Sequence, residues 1–390
     1  MRRKRILWLV SWYPNKNDRY TGDFIQRHAK AACIYNDIYV IFLTEADKGQ
    51  REQTEKIEYT GLTEVIIYNK KRKGILGRLL KQLSWKRSFS KAIQSYINEN
   101  GIPDLVHVHI PWKAGVIALE LKKQKGIPYI LSEHWSIYND MVEDNFNRQP
   151  VFIQSFIKAV YLQSELIVSV SKFLLMDMKK RLGEKYGIVL PNVVDTTLFH
   201  YSESKYSKFT FIHVSNMVPL KNVNLILDAF SYLIQNHNDV NAQFIFIGNA
   251  NDQYIKYADS LGLLNKTVFF KGEVLYNEVA EEMKKSHALI IYSDIETFSC
   301  VTAEALCCGL PVIASSVGAL PELINETNGV LVAPKDKLAL VHAMKAIYTN
   351  YSSYNGKNIS FAASAMYSYS TISEEFKELY SNVVIHSTVT

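Results

Sequence analysis

At 390 residues and 44.7 kDa the chain exceeds the size at which one hydrophobic core keeps growing, so two domains are expected. With 48% hydrophobic and 21% charged residues it is neither a disordered nor a fibrous chain. Cys33, Cys300, Cys307 and Cys308 are spaced like neither a disulfide framework nor a zinc site, which points to buried thiols in a reducing cytosol. The chain opens on Met1-Arg-Arg-Lys-Arg5 and the apolar run Ile6–Val10. No small-x-small site follows and Tyr13-Pro14 ends it, so it reads as a first buried strand rather than a leader. Further short, β-branched runs at 38–43, 64–68, 104–109, 128–132, 166–170 and 187–190 read as strands, separated by longer helical patterns. After the polar, serine-rich stretch 194–209 a second series begins, with strands at 209–214, 243–247, 267–271, 288–292, 311–314 and 330–332. Runs such as Phe244-Ile-Phe-Ile247 are continuously apolar, as in parallel strands covered by helices on both faces. The fold class is therefore α/β, two doubly wound Rossmann-like domains facing across a cleft, where ligands bind. The expected division is 1–200, 201–365 and a C-terminal helix 366–390 packing back toward the N-terminal domain. Gly309, Pro311, Gly318 and Pro321 break the longest uncharged stretch, so no membrane-spanning helix is expected.

Net charge is +6, yet Lys70, Lys71, Arg72, Lys73, Arg78, Lys81, Lys86, Arg87 and Lys91 lie in a segment with no acid, leaving the rest at −3. Ile75, Leu76, Leu79, Leu80 and Leu83 fall on one helical face of this segment, extended by Trp85 and Phe89. Two readings compete: docking of 70–93 on an anionic inner membrane surface, which makes a cytoplasmic protein peripheral, and packing on its own domain with solvated lysines. No base-reading module accompanies the charge, so nucleic acid is not an expected partner.

The segment Ser293-Asp-Ile-Glu296-Thr-Phe298-Ser299-Cys-Val-Thr-Ala-Glu304 carries the most chemistry. A strand runs into a short acidic loop, and a helix starts near Thr297 or Ser299, either of which could cap it. The unpaired first-turn amides make a seat for a diphosphate. Glu296 lies outside the helix, able to face a neutral hydroxylated ligand. Glu304 lies one to two turns in, able to accept from vicinal hydroxyls. Taken with Ala305-Leu-x-x-Gly309-x-Pro311-Val-Ile-Ala314 and Val317-Gly-Ala-Leu-Pro-Glu322, the pattern closely resembles the family 4 glycosyltransferases, which are retaining enzymes of the GT-B fold.

The resemblance runs the length of the chain and implies specific roles. Glu296 would bind hydroxyls of the transferred sugar, Glu304 the ribose of the nucleotide, and the backbone at Phe298 and Ser299 the diphosphate. Lys221, in His213-Val-Ser-Asn216-Met-Val-Pro-Leu-Lys221-Asn222, falls on the family's diphosphate lysine, but Asn216 stands where its arginine is usual. Lys221 and the helix amides must then meet the leaving charge, aided by the amide of Asn216 or Asn222. Gly248 and Val274 resemble turns passing close to the phosphates and the base, and Gly22 the glycine loop after the first strand, with Asp23 as helix cap. His134 matches a histidine placed against the transferred sugar. His109 ends the preceding strand on the acceptor side, where Glu133 is an alternative base. Ser171 and Asn192 match landmarks of the cleft edge.

The expected activity is therefore transfer, with retention, of a sugar from a nucleotide-diphosphate donor to a glycan or lipid-linked acceptor in polysaccharide or glycoconjugate biosynthesis. No Asp-x-Asp clamp precedes the diphosphate site, so neither metal nor cofactor is expected. Two rivals remain: a sugar-nucleotide epimerase or hydrolase of related fold, and a non-catalytic nucleotide-sugar-binding subunit at the membrane.

Overall fold

The computed structural model describes the backbone of residues 2–47, 52–71 and 74–387, and the side chains of these except 74–82 and 385–387. Two compact units form: Met1–Val193 with Tyr369–Thr390, and Val194–Ser368. The first boundary falls at 193/194 rather than 200/201. The serine-rich stretch looks like a free linker, but it is anchored in unit 2, where Phe199 is fully buried and the Tyr206 N–H donates to Lys285 O at 2.9 Å. The second boundary falls at 368/369 rather than 365/366, because the preceding helix runs on to Tyr367.

Unit 1 alternates β1 (Arg5–Val10), α1 (Asp23–Ala32), β2 (Asp37–Glu45), β3 (Gln53–Tyr59), β4 (Leu62–Asn69), α2 (Gly74–Asn100), β5 (Leu105–His109), α3 (Ala114–Lys125), β6 (Tyr129–Glu133), α4 (Val151–Gln163), β7 (Ile167–Ser169), α5 (Lys172–Leu182) and β8 (Gly187–Val189). The sheet order is β3-β4-β2-β1-β5-β6-β7-β8, parallel except for the β3–β4 hairpin. β3 has no counterpart among the expected strands. It is a mostly exposed edge of charged and polar residues, stabilised by pairing with β4 rather than by burial.

Unit 2 continues with β9 (Phe209–Val214), α6 (Val223–Asn236), β10 (Ala242–Ile247), α7 (Asp252–Ser260), β11 (Val268–Phe270), α8 (Tyr276–Lys285), β12 (Ala288–Ile291), α9 (Cys300–Cys307), β13 (Val312–Ser315), α10 (Leu320–Leu323), β14 (Gly329–Val332), α11 (Lys337–Thr349) and α12 (Gly356–Tyr367). Its strands are all parallel, in the order β11-β10-β9-β12-β13-β14. The last helix, α13 (Tyr369–Ser387), belongs to unit 1. Its Ile372, Phe376, Leu379, Tyr380 and Val383 are buried in one cluster with Ile6, Trp8 and Val10 of β1. Each such large apolar side chain contributes about 1.5–3 kcal/mol on burial.

Among the described residues no helix is long and apolar enough to cross a membrane. Of the basic segment, Arg72 and Lys73 and the side chains through 82 lie outside the described residues, including Ile75, Leu76, Leu79 and Leu80. Further along α2, Phe89, Ile93 and Tyr96 are buried within the unit, while Leu83 is 59% exposed and Lys86, Arg87 and Lys91 face solvent. All four cysteines are free thiols, and burial pushes the Cys307 thiol up to about 12.

Candidate functional site

In unit 2 the sequence around α9 folds as its capping chemistry demands. Ser299, not Thr297, is the N-cap: its hydroxyl accepts the Thr302 N–H at 3.4 Å, with φ at +74°. The first-turn amides of α9 thus stand just past the acidic loop 293–296. Phe298 is buried, its ring edge-on to Tyr367 at 5.7 Å. Glu304, one turn into the helix, is 4% exposed, and the Tyr276 hydroxyl donates to its Oε1 at 2.7 Å.

Glu296 is held from three directions. Lys221 Nζ donates to its Oε1 at 2.5 Å and Ser293 Oγ to the same oxygen at 2.7 Å. Both members of the ion pair are largely shielded, with side chains 22% and 11% exposed. Behind it, the Ala319 N–H donates to Glu296 O at 2.9 Å, and Gly318 rests on the Glu296 backbone with φ +55°. A Cβ on Gly318 would lie 2.1 Å from Glu296 O, so only glycine fits there. The Val317–Glu322 motif therefore serves as a seat for Glu296.

The loop after β9 is stitched to the same place. Asn222 Nδ2 donates to Asp294 Oδ1 at 2.8 Å and to Tyr292 O at 3.1 Å, while the Asp294 N–H donates to Leu220 O at 2.8 Å. These bonds bring Lys221, Asn222, Asp294 and Glu296 together, although more than seventy positions separate the two segments. Asn216 is exposed, at the start of the same loop. His213 is buried at the end of β9, between Ile290 O at 2.8 Å and Ser215 Oγ at 2.8 Å. Burial lowers it to about 4, against the pull of the Ile290 carbonyl, so it is neutral beside Lys221. Gly248 closes β10, donating to Gly272 O at 2.9 Å, and Val274 lies between β11 and α8.

In unit 1, Gly22 rather than Asp23 is the N-cap of α1, at φ +70°. A Cβ there would meet the Trp12 carbonyl carbon at 2.6 Å, so this glycine lets two loops of the unit close on each other. Asp23 instead pairs with Arg27 at 2.8 Å, one turn on. Ser171 caps α5, accepting the Leu174 N–H at 3.1 Å, and Asn192 is buried.

His109 ends β5 and His134 follows β6; the first is fully buried and the second 7% exposed. Their rings are nearly parallel, with His109 Nδ1 and His134 Nε2 3.2 Å apart. Burial holds both well below the ordinary imidazole range, so both are neutral. His28 of α1 joins them: its Nε2 meets Pro191 O at 2.9 Å, and burial lowers it to about 4. Behind them the Trp8 indole donates to Tyr380 Oη at 3.1 Å, Tyr380 donates to His107 Nδ1 at 2.8 Å, and His107 Nε2 then donates to Ser132 Oγ at 2.7 Å. That tautomer satisfies every member of the chain.

Both oxygens of the Glu133 carboxyl accept hydrogen bonds from its own loop. Oε1 accepts the N–H groups of His134 and Trp135 at 2.8 and 3.0 Å, and Oε2 the Tyr138 hydroxyl at 2.6 Å. Burial raises its pKa to about 7, with those donors pulling the other way. Its carboxyl braces the loop that carries His134.

His28, His109 and His134 bring ring nitrogens within 4.8 Å of one another, the one cluster among the described residues able to hold a metal ion. Among the described residues no carboxylate or thiolate joins them. His28, Ser293, Gly318 and Tyr276 are absent from the sequence-derived candidates. Ser293 and Gly318 carried a signal, by lying inside the recognised segments 293–304 and 317–322.

Residues 196–358 match the family described as "Glycosyl transferases group 1", and residues 27–198 the one described as "Glycosyltransferase Family 4". An uncharacterized glycosyltransferase of Methanocaldococcus jannaschii is 27% identical over 73% of this chain and 78% of its own length. A Bacillus subtilis protein named as a teichuronic acid biosynthesis glycosyltransferase is 23% identical over 87% of this chain and 88% of its own. Among solved structures, sucrose-phosphate synthase from Thermosynechococcus elongatus superposes with a TM-score of 0.79 at 18% identity, covering 98% of this chain and 100% of that one. Anabaena HepE in complex with UDP-glucose gives 0.70 at 19% identity, covering 97% and 100%.

Proposed function

The chain belongs to the family 4 glycosyltransferases and has their GT-B fold, and from that premise we propose that it transfers a sugar from a nucleotide-diphosphate donor to a glycan or lipid-linked acceptor with retention at the anomeric carbon. The observation that carries the reading is the assembly of Lys221, Ser293 and Glu296 beside the N-terminus of α9. A cation, a carboxylate and the first-turn amides of a helix at one place suit a ligand with an anionic tail and a hydroxylated head. The Anabaena protein solved with UDP-glucose shares the fold, and the Bacillus relative is named for teichuronic acid biosynthesis.

In this reading the diphosphate lies on the α9 amides at Phe298 and Ser299, with the Gly248 turn passing close to it. Val274 neighbours the base and Glu304 accepts from the ribose. Glu296 grips the transferred sugar, and Lys221 exchanges its bond to Glu296 Oε1 for one to the phosphate. The bond from C1 to the phosphate oxygen breaks with its electron pair going to the phosphate, through an oxocarbenium-like state. The acceptor oxygen bonds to C1 on the same face, and its proton passes to the departing phosphate. The leaving charge falls to Lys221 and the helix amides, with Asn216 contributing a dipole where an arginine is usual. No metal or other cofactor is required. In unit 1, His134, which matches the family's sugar-facing histidine, is neutral and fixed by His109 and by the Glu133-braced loop. The exposed Lys70, Lys71, Lys86, Arg87 and Lys91 with Leu83 would suit an anionic membrane carrying a lipid-linked acceptor.

The test is a thermal-shift panel of nucleotide sugars, followed by transfer assays with the stabilising donor. One donor should raise the melting temperature in wild type but not in Glu296→Ala or Glu304→Ala, and the anomeric configuration should be kept in the product. Stabilisation that survives both substitutions would overturn the site. Donor consumption without acceptor would make the protein an epimerase or hydrolase, and binding without any turnover a non-catalytic subunit.

A further inference from the structure

Glu304 is not held by its own helix alone. The hydroxyl of Tyr276, the first residue of α8, donates to Glu304 Oε1 at 2.7 Å across 28 positions of sequence. Several features fix the tyrosine before it reaches the carboxylate. Its ring packs at 4.9 Å against Phe199, a fully buried residue of the segment that opens unit 2. The start of α8 is locked by the Leu275 N–H, which donates to Glu278 Oε2 at 2.7 Å. Glu304 itself is 4% exposed, so its carboxylate sits where a charge-assisted hydrogen bond is stronger than at the surface.

We propose that Tyr276 is a positioning residue for Glu304, and that through it the β11–α8 turn sets how strongly the enzyme demands a ribose rather than a deoxyribose on its donor. The inference rests on the reading of Glu304 as the ribose carboxylate. A buried carboxylate discriminates between a hydroxyl and its absence only if it cannot swing to follow the ligand, because a mobile acceptor re-forms its bonds elsewhere. Tyr276 holds Oε1 in one orientation, and its aromatic ring is anchored independently of the ligand. Val274, two residues earlier, was placed at the base by the same reading. One turn would thus serve base and sugar together.

Titration calorimetry of UDP, GDP and ADP, each beside its 2′-deoxy counterpart, tests this on the full chain. Wild type should favour the ribonucleotide of its preferred base about 10-fold or more, and Glu304→Gln should lose most of that preference. Tyr276→Phe, which keeps the ring on Phe199, should cut the preference about 3- to 10-fold, less than the full worth of one charge-assisted bond because Glu304 itself stays in place. It should also raise the donor KM while leaving kcat within about 2-fold. In the Glu304→Gln background the same change should add almost nothing. Full discrimination in Tyr276→Phe, or additive effects in the double variant, overturns the inference while leaving the ribose role of Glu304 intact. A wild type indifferent to the 2′-hydroxyl overturns both.

Discussion

Gly318→Ala separates the seat of Glu296 from the general cost of removing a glycine. At φ +55° any L side chain pays about 1 kcal/mol for its backbone conformation alone. The new Cβ would also lie 2.1 Å from Glu296 O and 2.9 Å from Glu296 N, against an ordinary contact of 3.4–4 Å, so the two backbones must part by more than an ångström. Overpacking of that kind adds about 1–3 kcal/mol, for a total of about 2–4. For a unit of this size that lowers the melting temperature by about 4–16 °C. Gly262→Ala is the control: it lies in the same unit at φ +70°, with nothing within 4 Å of its added Cβ. It should lower the midpoint by only about 2–4 °C. Because the displaced group is the backbone of Glu296, Gly318→Ala should also raise the donor KM about 10-fold or more, whereas Gly262→Ala should not. Paired melting curves and donor titrations decide it. If the two variants melt together and share a wild-type KM, the seat has no such role.

Lys221→Ala should lower kcat about 10²- to 10³-fold with an unchanged circular dichroism spectrum, and near-normal turnover would remove Lys221 from the mechanism. Burial lowers the pKa of His28 to about 4, from 6.5, so the unfolded chain takes up its proton first. Its contribution to stability is full above pH 6.5 and lost as pH falls toward 4, with a slope of up to about 1.4 kcal/mol per pH unit. Urea midpoints measured across that window should show a shallower acid loss in His28→Gln, and an identical slope would contradict the burial argument. Glu133 works in the opposite direction: its raised pKa of about 7 means stability is lost as pH climbs from 4.5 through 7, so Glu133→Gln should flatten the curve between pH 4.5 and 7. Chelation with EDTA should leave transfer unchanged. A loss restored by a divalent ion would put a metal on His28, His109 and His134.

Where one face or one period carries the information, the sequence was legible. The strands of both sheets fall within a residue or two of their expected positions, because continuous apolar runs flanked by turn residues leave few alternatives. β3 escaped because Gln53–Tyr59 buries almost nothing and is defined by its partner. Lys221 and Glu296 were readable as separate residues, but their 2.5 Å ion pair depends on how two loops are stitched together, which no local pattern encodes. His28 was invisible for the same reason, since a histidine in a surface-like helix shows its chemistry only once Pro191 and His134 arrive beside it. The surroundings of Glu133 were equally hidden. A carboxylate beside a strand end reads as available until the donors around it are counted.

Unit 1 is assembled from two stretches of polypeptide that enter the world far apart in time. Tyr380 and Phe376 complete the packing around Trp8 and the bond to His107, yet the 175 residues of unit 2 must be synthesised between β8 and α13. At about 5–20 residues per second that is a delay of roughly 10–35 s, during which β1 has neighbours in its sheet but an unfinished apolar face. Unit 2 is continuous in sequence, so all of its strands have been synthesised before α13 is.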